Sequence, residues 1–378
     1  MDFTYTEEQQ AIAELAFRIL SEQLPPDRLR ELERTEGWFA DDVWLALAKA
    51  DLLGIALPEA DGGAGYGITE ACLIAQQVGR TVAPVPYLST IVASALPLAH
   101  FGSDAQRRRF LPSVIDGTAT LTLALYEPTS VAVPAVPTTQ ATPDADGWRI
   151  DGEKSLVVGA DRAAAILVPA RTGEASSALF LVDPNAEGVS LARETAVTGE
   201  PQWTVGLEGV AVGGDALLGG VDQGAQIVDW TSDHLAAAIC AMQTGVCEEA
   251  LAITAKYVSE REQFGSKLGT FQAVGQRVAD AYIDTEAIRL TAIQAIWRLS
   301  EGLDASDELM TAKFWAADGA QRVVHAAQHL HGGIGVDLDY PIHRYFRWAK
   351  VLELTLGGAT PSLRRHGASL AAQPVAGV

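Results

Sequence analysis

One stretch concentrates the residues whose types and spacing could do chemistry: Gln328 to Thr360, reading QHLHGGIGVDLDYPIHRYFRWAKVLELTLGGAT. It ends an Ala-rich helical pattern, turns on Gly332, Gly333 and Gly335, and then presents His343, Arg344, Arg347 and Lys350 before a second glycine pair, Gly357-Gly358. Without a Cβ, glycine permits both φ > 0 and close backbone approach to another group. The plainer alternative is a helix C-cap followed by a surface turn. No side chain in this stretch, taken alone, decides between them.

The elements that must position these residues follow from the rest of the chain. Its 378 residues are long enough for two or three cores, and 48% hydrophobic with 20% charged residues is ordinary for a folded protein. A net charge of −21 argues against a nucleic-acid surface, so an anionic ligand must be held by a local cluster of cations and backbone donors. Three cysteines, Cys72, Cys240 and Cys247, show no metal or disulfide spacing. The opening MDFTYTEEQQ lacks signal-peptide character, and no uncharged apolar run approaches the length of a membrane span. A soluble, cytoplasmic protein with buried free thiols is expected.

Thr6 and Gln9 have capping-box spacing, and Ile12, Leu15, Ala16, Ile19 and Leu20 repeat as one helical face. Val43, Trp44, Leu47 and Ala48 form a second such face. Leu53 to Gly67 is glycine-rich without the spacing of a dinucleotide turn, and Arg107 to Arg109 read as a solvated face. From about Thr118 the pattern changes to short alternating runs: TLTLALYEP, WRIDGEKSLVV, AAAILVPA, SALFLVDP and GVSLARE. Helical periodicity returns after about Gly224. Segregated blocks of this kind predict an α+β multidomain chain, with a helical domain over 1–117, an antiparallel β-domain over 118–223 and a helical domain over 224–378.

HGGIG, then YP, then R-x-x-R-x-A-K, together with Arg261-Glu262-Gln263-Phe264-Gly265, Phe271-Gln272 and LGIALPEADGGAGYG, resembles the acyl-CoA dehydrogenase family over essentially the whole chain. The resemblance implies an N-terminal helical domain, a β-barrel-like middle domain and a C-terminal four-helix bundle. It also implies FAD as cofactor, an acyl-CoA thioester desaturated between Cα and Cβ, and an electron-transferring flavoprotein as acceptor. In the family the Arg of R-x-x-F-G reaches across a subunit interface to the adenosine side of a neighbour's FAD. Carried over, that contact comprises Arg261, Gln263, Phe264, Gln272, Gly332 and Gly333, with His329 where the family usually has Gln. An Arg fork suits pyrophosphate oxygens and a Phe can pack on adenine or ribose, although pairing of Arg261 with a carboxylate is the alternative.

Three departures from the family pattern are visible. The position of the usual catalytic Glu is Leu356, and the alternative base position on the first helix of the C-terminal domain is Leu235; neither accepts a proton. Asp233, His234 and Glu353 lie near enough to be tested as displaced bases. In the β-domain the family's Thr before Glu-Pro is Tyr126, the G-S-D turn is not recognisable in the residues that follow, and Gly152-Glu153-Lys154-Ser155-Leu156-Val157 lacks the aromatic and hydroxyl that meet the flavin ring. The resemblance is strongest to the non-catalytic β-subunit of actinobacterial α2β2 acyl-CoA dehydrogenases acting on steroid (cholesterol) side-chain CoA esters. It implies a chain inactive alone that shares FAD with a catalytic α-subunit. The competing expectations are a homo-oligomeric dehydrogenase with a relocated base and a non-enzymatic scaffold on the same fold.

Overall fold

The computed structural model describes residues 3–372, apart from Thr129, Val131 and Asp146. Thr6 opens α1 (Glu7–Gln23) with the expected capping box: the Gln9 N–H donates to Thr6 Oγ1, and the Gln9 side chain accepts from the Thr6 N–H. Pro26 begins α2 (Pro26–Glu33), where its missing N–H costs nothing. Then come α3 (Asp41–Lys49), burying Val43, Trp44, Leu47 and Ala48, and α4 (Ile68–Thr81). A π-helical turn (Tyr87–Ala95) runs into α5 (Leu96–Phe101), and Ser103 caps α6 (Asp104–Ile115). Arg107 on α6 pairs with Asp61 and Asp104, a satisfied surface cation.

The strands are β1 (Thr120–Leu123), β2 (Gln140–Asp144), β3 (Gly147–Val158), β4 (Ala163–Arg171), β5 (Ser177–Val182), β6 (Val189–Thr195), β7 (Pro201–Gly213) and β8 (Leu217–Leu218). They form one sheet in the order β6-β7-β3-β2-β4-β5-β8, with β1 paired to β4. The sheet is mixed where an antiparallel one was expected, because β1 lies parallel to β4 and β2 meets it in one parallel pair. β1 enters from a helix and not from a hairpin, so no tight turn dictates its direction. Alternate residues of β3, β4, β5 and β7 meet in a core that includes Ile150, Val168, Phe180, Trp203, Val205 and Leu207.

After the strands come α7 (Gly224–Glu260), a two-stranded hairpin of β9 (Glu262–Gln263) and β10 (Ser266–Lys267), and α8 (Gln272–Ser300). α9 (Ser306–Phe314) continues through a π-helical turn into α10 (Ala320–His331), followed by α11 (Ile342–Leu354) and α12 (Ala359–Ala372). α7 is long and apolar enough to cross a bilayer by length and composition, and its apolar window is 67% buried within the protein, as that of a core helix is. The transitions between element types fall between Ile115 and Thr120 and between Leu218 and Gly224.

The chain divides into two compact units, one of Met1–Glu31, Cys72–Ala83 and Ala236–Val378, the other of Leu32–Ala71 and Pro84–Leu235. Within the first, α4 and α7 touch backbone to backbone. A Cβ on Gly79 would lie 2.0 Å from Met242 O, and one on Gly245 would lie 2.0 Å from Gln76 O. Gln76–Glu248 and Arg80–Glu249 contacts of 2.8 and 3.1 Å flank that crossing. The second unit holds the sheet. Cys72, Cys240 and Cys247 are buried free thiols, and burial pushes Cys240 and Cys247 up to about 12, which leaves them unreactive.

Candidate functional site

Where α7 ends, Arg261 leads into the hairpin, in which Gln263 faces Ser266 and Glu262 faces Lys267. The loop residues Phe264 and Gly265 have φ of +55° and +75°, the type I′ geometry that a two-residue hairpin favours. Asn-Gly is the usual pair there, and a Phe in the left-handed region costs about 1 kcal/mol. Phe264 is nevertheless 92% exposed, standing edge-on to Phe271 with ring centroids 6.4 Å apart. Arg261 is exposed, and among the described residues its guanidinium makes no ion pair. The Leu268 N–H donates to Arg261 O at 2.9 Å, tying the hairpin to the segment that reaches Gln272, the exposed first residue of α8.

The glycine turn follows α10 and is linked to the end of α7 through Tyr257. Gly332 ends α10 with φ +63° and ψ −138°, a conformation that L-residues avoid. A Cβ on Gly332 or Gly333 would meet nothing within 4 Å, so the turn offers bare backbone to open space. Tyr257, one helical turn before Arg261, stacks on His331, with ring centroids 4.4 Å apart. The Tyr257–His331 stack thus joins the end of α7, from which Arg261 follows, to the Gly332-Gly333 turn, while Gln263, Phe264 and Gln272 lie on the hairpin and the start of α8 beyond Arg261. His329 is exposed on the last turn of α10, and Gln328 does not substitute for it, because its Nε2 donates inward to Gly335 O at 2.5 Å. An exposed guanidinium, a flat apolar ring and an open glycine turn suit the phosphates and base of a nucleotide.

At the end of α11 the chain makes a defined turn. Lys313, buried, donates from Nζ to Leu352 O and Glu353 O at 3.0 and 2.8 Å, capping the helix C-terminus. Burial pushes this lysine down to about 8. Leu356 follows with φ +59° and Gly357 with φ +92°. Glu353 is held by Lys350, whose Nζ lies 2.5 Å from Glu353 Oε2. Leu235 is buried and Asp233 exposed. His234 lies over Trp230 at 3.7 Å between ring centroids and donates from Nδ1 to Trp230 O at 2.8 Å; burial lowers its pKa.

In the sheet, β3 bulges between Lys154 and Val157, and Leu156 sits in the bulge with φ +55°, 47% exposed. Bulges re-aim side chains, and this one presents the alkyl group of Leu156 outward. Tyr126 bridges to Ser155, whose N–H donates to Tyr126 O at 3.0 Å. Thr129 and Val131, in the stretch expected to carry the G-S-D turn, lie outside the described residues. Behind the bulge is a fully buried pair, Lys154 Nζ to Glu127 Oε1 at 2.8 Å. Glu127 also accepts from the N–H and hydroxyl of both Thr138 and Thr139, at 2.6–2.9 Å. Burial opposes both charges, but these donors hold Glu127 below the usual carboxylate range. In the sequence Glu127 and Lys154 stand as separate motif positions, and nothing in their spacing betrays the pair. Tyr257 and Lys313 also escape a sequence reading, because their roles arise from long-range packing.

Fold, hairpin and glycine turn define the class: the chain belongs to the acyl-CoA dehydrogenase family. It matches the acyl-CoA dehydrogenase N-terminal domain over residues 6–118 and the acyl-CoA dehydrogenase C-terminal domain over residues 222–369. It is 39% identical to the acyl-CoA dehydrogenase FadE27 of Mycobacterium tuberculosis, over 99% of this chain and 100% of that protein. Among solved structures it resembles a variant of the Tcur3481-Tcur3483 steroid ACAD, with a TM-score of 0.90 and 44% identity over 97% of this chain and 98% of that one. It also resembles the ChsE4-ChsE5 complex of M. tuberculosis, with a TM-score of 0.93 and 38% identity over 99% and 100%.

Proposed function

We propose that this chain is the non-catalytic β-subunit of a heteromeric acyl-CoA dehydrogenase, in which it completes the FAD site of a catalytic partner. The observation that carries the reading is a contrast. The surface around Arg261, Phe264 and Gly332 is held open, whereas Leu356, Leu235 and Leu156 occupy positions where proton transfer and flavin-ring contacts need other groups. Desaturation removes a proton from Cα and a hydride from Cβ, and FAD, when bound, supplies the hydride acceptor. This chain has no base at the positions carried over from the family, so proton removal falls to the partner. Its own residues bind and orient: Arg261 toward pyrophosphate, Phe264 toward adenine or ribose, and Gly332-Gly333 by backbone approach.

A steroid side-chain CoA ester is the proposed substrate, supported by similarity to a protein described as a steroid ACAD, and an α2β2 assembly by similarity to the ChsE4-ChsE5 complex. An electron-transferring flavoprotein is the proposed acceptor. A relocated base is disfavoured by the Lys350–Glu353 pair, which neutralises the nearest carboxylate on α11. The test is Arg261→Ala in the co-purified complex. FAD occupancy should fall although the flavin ring lies in the partner's pocket; unchanged occupancy and turnover would remove the cross-subunit role.

A further inference from the structure

The nucleotide-facing surface is formed by two segments distant in sequence, the end of α7 and the end of α10, and something must fix their relative placement. The structure assigns that task to His331: we propose that it is a positioning residue, clamped between Tyr257 and Tyr340, which holds the Gly332-Gly333 turn in register with Arg261. This rests on the reading above that the surface meets a partner's FAD.

His331 is the last residue of α10 and only 3% exposed. Its Nδ1 lies 2.8 Å from Ala327 O, and a carbonyl only accepts, so Nδ1 carries the proton. Nε2 is then an acceptor, and the Tyr340 hydroxyl donates to it at 3.1 Å. Burial lowers the pKa of the ring, which keeps it in this neutral form. Tyr257 covers one face of the imidazole at 4.4 Å and 25° between planes, and its hydroxyl reaches the His331 carbonyl at 3.5 Å, a long contact. Tyr257 lies four residues before Arg261, on the last turn of α7.

The glycine turn packs back against the same residue. A Cβ on Gly335 would lie 2.7 Å from Gln328 O and 3.2 Å from His331 Cβ, so the returning chain touches the end of α10. Gln328 closes the turn by donating to Gly335 O. The outer side of Gly332 and Gly333 stays bare. The contacts that Gly335 and Gln328 make lie on the inner side of the turn, where His331 joins α7, α10 and the segment carrying Tyr340. A loss here moves the glycine backbone relative to the guanidinium without removing either group.

The measurement is the rate of flavin release from the co-purified complex after dilution, with thermal unfolding in parallel. His331→Ala should speed release about tenfold, and His331→Asn, whose amide can still donate to Ala327 O, should recover part of that loss. Tyr340→Phe keeps the ring, deletes one donor and should speed release about two- to fivefold, so the test survives if His331→Ala does not fold. In an Arg261→Ala background the same substitutions should add less than about twofold, because register matters only when both groups are present. Wild-type release from the His331 and Tyr340 variants, with fast release from Arg261→Ala, would overturn the positioning role alone. Equal acceleration in both backgrounds would overturn it too, by showing a general loss of stability. No effect of Arg261→Ala would instead overturn the cross-subunit reading beneath it.

Discussion

Leu356, which the proposed function takes to stand where the family has its base, lies in an ordered turn, with Lys313 on the preceding carbonyls and left-handed φ at Leu356 and Gly357. On the proposed function, restoring a carboxylate there is chemically insufficient. Leu356→Glu should create no second active site, because Leu156 and Tyr126 remain at the positions proposed to meet the flavin ring; turnover that doubled per complex would show the pocket to be functional. The buried Lys154–Glu127 pair makes a different prediction. Lys154→Met strands a buried carboxylate and should destabilise the chain by about 3–5 kcal/mol in chemical denaturation. The folded-state pKa of Glu127 lies below its ordinary 4.5, so its contribution is present above that value and lost as the pH falls through the lowered one. Lys154→Met/Glu127→Gln should lose less stability than Lys154→Met, and its acid unfolding should lack that step.

At the scale of elements, the β9–β10 hairpin carries a residue that disfavours it. Phe264→Asn places the preferred Asn-Gly pair in the type I′ loop and should raise the stability of the lone chain by about 0.5–1 kcal/mol. The same substitution should weaken FAD retention in the complex, since the ring is then gone; improved stability with unchanged retention would show Phe264 to be idle. Lys313 makes the element-scale case for α11. Its pKa falls from 10.5 unfolded to about 8 folded, so folding discards protons between those values and this group's contribution to stability rises with pH across that window. Lys313→Met should lack the rise and, with its carbonyls unpartnered, show faster amide exchange over residues 355–358.

For the whole molecule, the order of helices, strands and helices was legible because periodicity and turn residues are local signals, as the Thr6–Gln9 box and the Val43 to Ala48 face show. The R-x-x-F-G and glycine-turn residues were legible as motifs. The parallel pairing of β1 with β4 was not, since register across intervening strands leaves no local trace. Nor was the role of His331, because its partners Tyr257 and Tyr340 approach it only through tertiary packing. The apolar length of α7 likewise needed burial, not composition, to show that it is a core helix.

A chain that completes a partner's cofactor site and lacks a competent one of its own should hold flavin only in company. Flavin content after purification reads this out, measured on the chain alone and on the complex formed with a catalytic relative. Little flavin on the lone chain and about one FAD per unlike pair in the complex are expected. A lone chain carrying one FAD per subunit and oxidising an acyl-CoA would contradict the β-subunit reading.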